Sequence, residues 1–172
     1  MITRLHHAWL ALLALPGLTI SHQRRALFRE MRAFTLNLPA LLKAPLPEAM
    51  QRILPAGVEA HLPPQRSGAG SAGIISERTI RDLADLAALL DRRSPLGVCL
   101  RRSLTRYHFL RRAGVPVVTH FGAKFVGGRA DRDISGHAWL TLDGRVYHEA
   151  DENWLGFTVM LSYPQDNGKI QL

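Results

Sequence analysis

The residues of this chain that could do chemistry are Cys99, the only cysteine among 172 residues, then His137, then the carboxylates Glu149 and Asp151. Cys99 stands where a helix should begin, after Ser94-Pro95-Leu96-Gly97-Val98. His137 lies in Gly136-His137-Ala138-Trp139-Leu140-Thr141-Leu142, which alternates like a strand, and the carboxylates come after the Asp143-Gly144 turn. A cysteine at a helix start, a histidine on a strand and a carboxylate on the return strand form the layout of a thiol nucleophile, its base and the base's orienter. Thiols attack as thiolates, which the first-turn amides of a helix and a nearby imidazolium both favour. Arg92, Arg93, Arg101, Arg102, Arg106, Arg111 and Arg112 surround the cysteine in sequence with only Asp91 to oppose them, so a local field favouring anions is expected. A lone cysteine is more often a small buried hydrophobe; the downstream histidine shifts the balance toward chemistry.

Two elements must position these groups. Leu100, Leu104, Tyr107 and Arg111 fall on one helical row, Gly114 suits the residue after the helix and Pro116 prevents its continuation. The strand places Ala138, Leu140 and Leu142 on an apolar face and His137, Trp139 and Thr141 on the other. The hairpin register decides the orienter. A two-residue loop sets Leu142 opposite Arg145 and Ala138 opposite Glu149, with a carboxylate on the apolar face. A three-residue loop bulged at Gly144 sets Leu142 opposite Val146 and His137 opposite Asp151, with Glu149 diagonal to His137. The second matches apolar to apolar better and is the expected register; Glu149 then reaches across about 7–8 Å, and Asp151 remains the alternative.

Cys99-Leu100-Arg101-Arg102-Ser103-Leu104, Leu110-Arg111-Arg112-Ala113-Gly114-Val115, Phe121-Gly122-Ala123-Lys124, Gly136-His137-Ala138-Trp139, Asp143-Gly144 and Phe157-Thr158 together resemble the leader peptidase of lasso-peptide biosynthesis, a member of the transglutaminase-like group of papain-type folds. The resemblance spans residues 76–164. It implies an α+β fold, a papain/transglutaminase-like core in which a cysteine-bearing helix packs on a small antiparallel sheet, here with an N-terminal helical extension. It implies a cysteine protease that frees a ribosomally made precursor of its leader, with Cys99 as nucleophile and His137 as base. The family's third residue is an aspartate on the return strand; counting back from Phe157-Thr158, the matching position is Glu149. The implied partners are the precursor (leader) peptide, a macrolactam-forming cyclase and, since no winged-helix recognition pattern precedes the core, a separate leader-recognition protein. No oxyanion-hole side chain can be matched, which leaves the Cys99 amide as the default donor.

Composition bounds the remainder. A 47% hydrophobic content suits a globular core. One cysteine allows no intrachain disulfide and fits a reducing, cytoplasmic setting. It also rules out multi-cysteine zinc sites, and a His120, His137, His148 metal site is a weak reading; no cofactor or metal is expected. The net charge of +8, from 22 basic and 14 acidic residues, suits an acidic peptide, a membrane surface or simply a solvated face. With 7% aromatics and no nucleic-acid-binding signature, nucleic acid is not an expected partner.

Four segments are expected: N-terminal helices over 1–54, a flexible Pro/Gly/Ser linker over 55–73, the catalytic part over 74–164, and a tail over 165–172. The apolar segment 8–20 is too short to span a bilayer, and residues 22–33 read as a basic amphipathic helix that packs on the domain or touches membrane. Pro39, Pro45 and Pro47 should break the stretch after it into short helices. Ser76 should cap a helix reaching Asp91. Residues 117–126 read as a strand bent at Gly122, with His120 structural, and 154–163 as a last strand. Two rival activities fit the same residues: passage of the acyl group to an amine instead of water, and a non-catalytic scaffold binding leader or cyclase.

Overall fold

The computed structural model describes residues 22–55, 75–126 and 133–164. The apolar segment 8–20, all of the expected linker 55–73 except Pro55, and the expected tail over 165–172 lie outside the described residues.

The first helix, α1 (His22–Leu41), buries Leu27, Met31, Thr35 and Leu38, a row spaced at one helical turn. Pro39 does not break it, contrary to expectation. A proline in the last turn removes one donor while the ladder continues: Leu42 N–H still bonds to the Leu38 carbonyl at 2.9 Å. Next comes α2 (Leu46–Ile53), which starts with Pro47 in its first turn, where the missing N–H costs nothing. In α3 (Glu77–Leu90), Ser76 caps the helix and accepts a hydrogen bond from the Thr79 amide at 3.3 Å, and Asp91 ends it, as the sequence indicates.

The central helix is α4 (Val98–Arg112). Gly114 comes just after it at φ +83°, and Val115 N–H returns to the Leu110 carbonyl at 2.9 Å, closing the helix end. Its apolar pattern is weak because it is surrounded: it touches α1, α3 and two strands. Leu104, Tyr107 and Leu110 enter the common core with Met31, Leu38, Met50, Ile53, Leu83 and Leu140. Several of its polar residues are buried too; the Thr105 hydroxyl, for one, lies 3.0 Å from that of Thr35 on α1.

Four antiparallel strands complete the fold, β1 (Val118–Phe125), β2 (Ile134–Leu142), β3 (Arg145–Val146) and β4 (Thr158–Tyr163), in the order β3-β2-β1-β4. The fold is α+β, helices on one face of a small antiparallel sheet. Phe121, Leu140 and Leu142 turn toward the helices, while His137 and Trp139 occupy the opposite face, as the alternation of β2 requires.

The hairpin differs from the expected register. Leu142 pairs with Arg145 and Thr141 with Val146, so Asp143-Gly144 is a two-residue loop, and both residues have positive φ, the geometry of a type I′ turn. The bulged alternative matches side chains over a long return strand, but β3 stops after two residues. His148 then takes a left-handed φ of 49° and turns the chain away before Glu149. A short helix, α5 (Asp151–Trp154), occupies the connection to β4, where the sequence suggests a strand from 154; Gly156 at φ +81° makes the exit.

β1 bends where the sequence suggests: its pairing with β4 shifts between Phe121 and Gly122. A Cβ on Gly122 would sit 2.7 Å from Cη2 and Cζ3 of Trp139 and 2.9 Å from the Thr158 carbonyl. Trp139 is held between the rings of His120 (5.6 Å) and His137 (5.9 Å) and cannot yield. Gly122→Ala is therefore expected to cost about 1–3 kcal/mol, read as a lowered denaturation midpoint by circular dichroism; an unchanged midpoint would show that the stack is loose.

Candidate active site

Cys99 is the second residue of α4, half-buried in the turn whose amides have no helical partners. The start of this helix is fastened by Arg101. Its buried guanidinium donates to the carbonyls of Leu96 (3.1 Å), Ala88 (2.6 Å) and Asp91, and sits 3.7 Å from the Asp91 carboxylate. One residue thus ties the end of α3 and the 91–97 turn to the helix that presents the thiol.

The same helix is pinned to the histidine's strand. Carbonyls alternate along a strand edge: that of Leu140 accepts the Tyr147 amide at 2.8 Å, and that of Ala138, two residues back, lies beyond the end of β3. The Ser103 hydroxyl takes it, at 2.7 Å, in a buried hydrogen bond. Ser103 is one helical turn after Cys99 and shares its face; Ala138 adjoins His137. The truncation of β3 leaves the gap through which α4 meets β2.

His137 lies against Phe157, with ring centroids 5.3 Å apart, as well as against Trp139. Its Nε2 is buried and, among the described residues, has no hydrogen-bond partner. Burial pushes its pKa below the usual histidine value; the charge of Glu149 opposes this, and those of Arg102 and Lys124 add to it. The imidazole is accordingly held neutral near pH 7, the form that can accept a proton.

Glu149 has a side chain only 3% exposed. Its Oε2 accepts from Arg102, three residues along α4 from Cys99, and its Oε1 from Asn153 Nδ2 at 2.8 Å. Among the described residues no hydrogen bond joins it to His137, so its influence there is through its charge. Asp151 is exposed and accepts the Trp154 indole N–H at 3.2 Å. Of the two carboxylates, Glu149 is the one whose charge bears on His137.

The sequence did not reveal Arg102, Ser103 or Asn153. The first two could have been found by their spacing of three and four from Cys99. Asn153 lies four after Glu149, a spacing informative only once residues 151–154 are known to be helical. Four of the seven arginines expected to form a free cationic field are in ion pairs instead. Arg101 lies against Asp91, Arg102 against Glu149, Arg106 against Asp85 and Arg112 against Glu30.

Removing the charge of Glu149 should move the titration of His137 further down, since Glu149 is what favours its protonated form. If His137 is the base, Glu149→Gln is expected to shift the acid limb of kcat/KM to lower pH, with the wild-type limb itself below about 6.5. A pH–rate profile checks this; a shift to higher pH would reverse the assigned electrostatics.

Among the described residues no helix is long and apolar enough to cross a membrane. One family profile, described as the transglutaminase-like superfamily, matches residues 40–162. No curated protein and no solved structure matches the chain.

Proposed function

This chain belongs to the transglutaminase-like superfamily, whose fold is of the cysteine-protease and acyltransferase type, and we propose that it is a cysteine peptidase removing the leader from a lasso-peptide precursor. The observation that carries the catalytic reading is the buried, unpartnered Nε2 of His137, on the strand that Ser103 ties to the helix bearing the only thiol. A buried nitrogen left without a partner costs about 1–3 kcal/mol, and such a cost is retained where a group must stay free to take a proton. The choice of substrate rests on the resemblance of the Cys99-Leu100-Arg101-Arg102-Ser103-Leu104 run, paired with His137-Ala138-Trp139, to leader peptidases.

In the proposed reaction Nε2 of His137 takes the Cys99 proton as sulfur attacks the scissile carbonyl. The C–S bond forms, and the oxyanion is met by the first-turn amides of α4, that of Cys99 among them. Collapse breaks the C–N bond, His137 returns the proton to the departing amine, and a thioester of the leader remains. Water, deprotonated by His137, releases the leader as a carboxylic acid and restores the thiol. The freed amine of the core peptide is what a macrolactam-forming cyclase requires. The Glu149 charge steadies the imidazolium in both halves, and Arg102 and Asn153 fix that carboxylate in place.

Incubation of the protein with a candidate precursor and a separate leader-recognition protein, read by mass spectrometry, tests the reading. Two fragments whose masses sum to precursor plus one water are expected. A leader joined to an added amine would instead show acyl transfer, and an intact precursor with well-folded protein would refute both.

A further inference from the structure

We infer that Lys124 forms an anionic subsite beside the reacting bond, one that takes an aspartate or glutamate side chain of the peptide substrate. This rests on the reading above, that Cys99 and His137 act on a peptide.

Lys124 shares the sheet face of His137: Gly122 stands opposite His137 and Lys124 opposite Ser135, so lysine and base are diagonal neighbours. Its ammonium lies 4.2 Å from the centroid of the Phe157 ring, the same ring that lies 5.3 Å from His137. A cation over an aromatic face is held in place rather than swinging in solvent. His137 feels this charge.

What marks Lys124 on this face is that, among the described residues, no ion pair holds it. Four arginines of α4, Arg101, Arg102, Arg106 and Arg112, lie against carboxylates of the chain, Arg102 against Glu149 nearest the site. Among the described residues no carboxylate pairs with Lys124. A fixed positive charge next to a reacting centre and without a counter-ion favours a negative group on whatever binds there. The lysine presents one compact charge, suited to a single carboxylate. Diagonal neighbours are about 7–8 Å apart and an extended chain advances about 3.3 Å per residue. The acidic residue therefore falls within about two positions of the scissile bond.

The test uses labelled decapeptides in which Asp, or its amide Asn, is moved along an otherwise constant neutral background. Binding to the Cys99→Ala protein is measured by fluorescence anisotropy, independently of turnover. At one position Asp should bind about 5- to 10-fold more tightly than Asn. Cys99→Ala/Lys124→Met should bring that ratio within about twofold, whereas Cys99→Ala/Lys124→Arg should keep most of it. The absence of a position preferring Asp, or a preference surviving Lys124→Met, overturns the subsite. Cleavage of the same peptides by wild-type protein is scored separately, so a Lys124-dependent preference without hydrolysis keeps the subsite and rejects the peptidase.

Discussion

Cys99→Ser protein is expected to cleave precursor at least about 10⁴-fold more slowly than wild type while keeping its fold. A serine hydroxyl is far less ionised and less nucleophilic than a thiol, and loss of a nucleophile in such a constellation removes all but the contribution of binding and the oxyanion donors. The side chain is half-buried at a helix start, so the change in stability should stay within about 1 kcal/mol. His137→Ala should lose a comparable factor. Because thiol and base act as one unit, the double variant should be scarcely slower than either single one. Single-turnover kinetics with thermal denaturation of each variant checks both halves. Substantial activity in Cys99→Ser, or multiplication of the two losses, would mean that the two residues do not act together.

The second large effect concerns stability. Arg106 forms a bidentate pair with Asp85, Nε to Oδ1 at 2.6 Å and Nη2 to Oδ2 at 2.5 Å, with the side chains only 7% and 10% exposed. Arg106 also donates to the His148 carbonyl at 3.4 Å, just where the chain turns in its left-handed conformation toward Glu149. Arg106→Met should cost about 3–5 kcal/mol, because it strands the Asp85 carboxylate among apolar neighbours. For a chain of this size that is a fall of roughly 10 °C in Tm. Replacing both partners, as in Asp85→Leu/Arg106→Met, should be milder than the single change, since no buried charge is left unpaired. Calorimetry of the three proteins decides it; a double variant no better than the single one would show that the contact to His148 matters more than the ion pair.

Much of the scaffold is readable from the chain because its signals are local. Ser76 caps, Gly114 closes α4, and the alternation through His137 and Trp139 sets the faces of β2; each depends on neighbours within a few positions. The hairpin departs from its expected register for a definable reason. Apolar matching across Asp143-Gly144 assumes a long return strand, and nothing local announces that β3 ends at Val146 or that His148 turns the chain. Since Glu149 lies beyond that turn, its identity as the carboxylate near His137 can be matched by resemblance but not placed by pairing.

The arginines show the same limit from the other side. Counted locally around Cys99 they form an uncompensated cluster. For Arg102, Arg106 and Arg112 the partners Glu149, Asp85 and Glu30 arrive from elsewhere in the chain, and folding converts that part of a presumed field into ion pairs. The consequence is functional as well as structural: with Arg101, Arg102, Arg106 and Arg112 paired, Lys124 stands out on the His137 face without an acidic partner among the described residues.

The most direct measurement is an acid quench in the first turnovers with precursor, then proteolysis and mass spectrometry of the fragment containing Cys99. The account predicts a mass increase equal to the leader acyl group, carried by Cys99, appearing before free leader and absent from His137→Ala protein. Cleavage that proceeds with Cys99 unmodified and replaceable by alanine would contradict it.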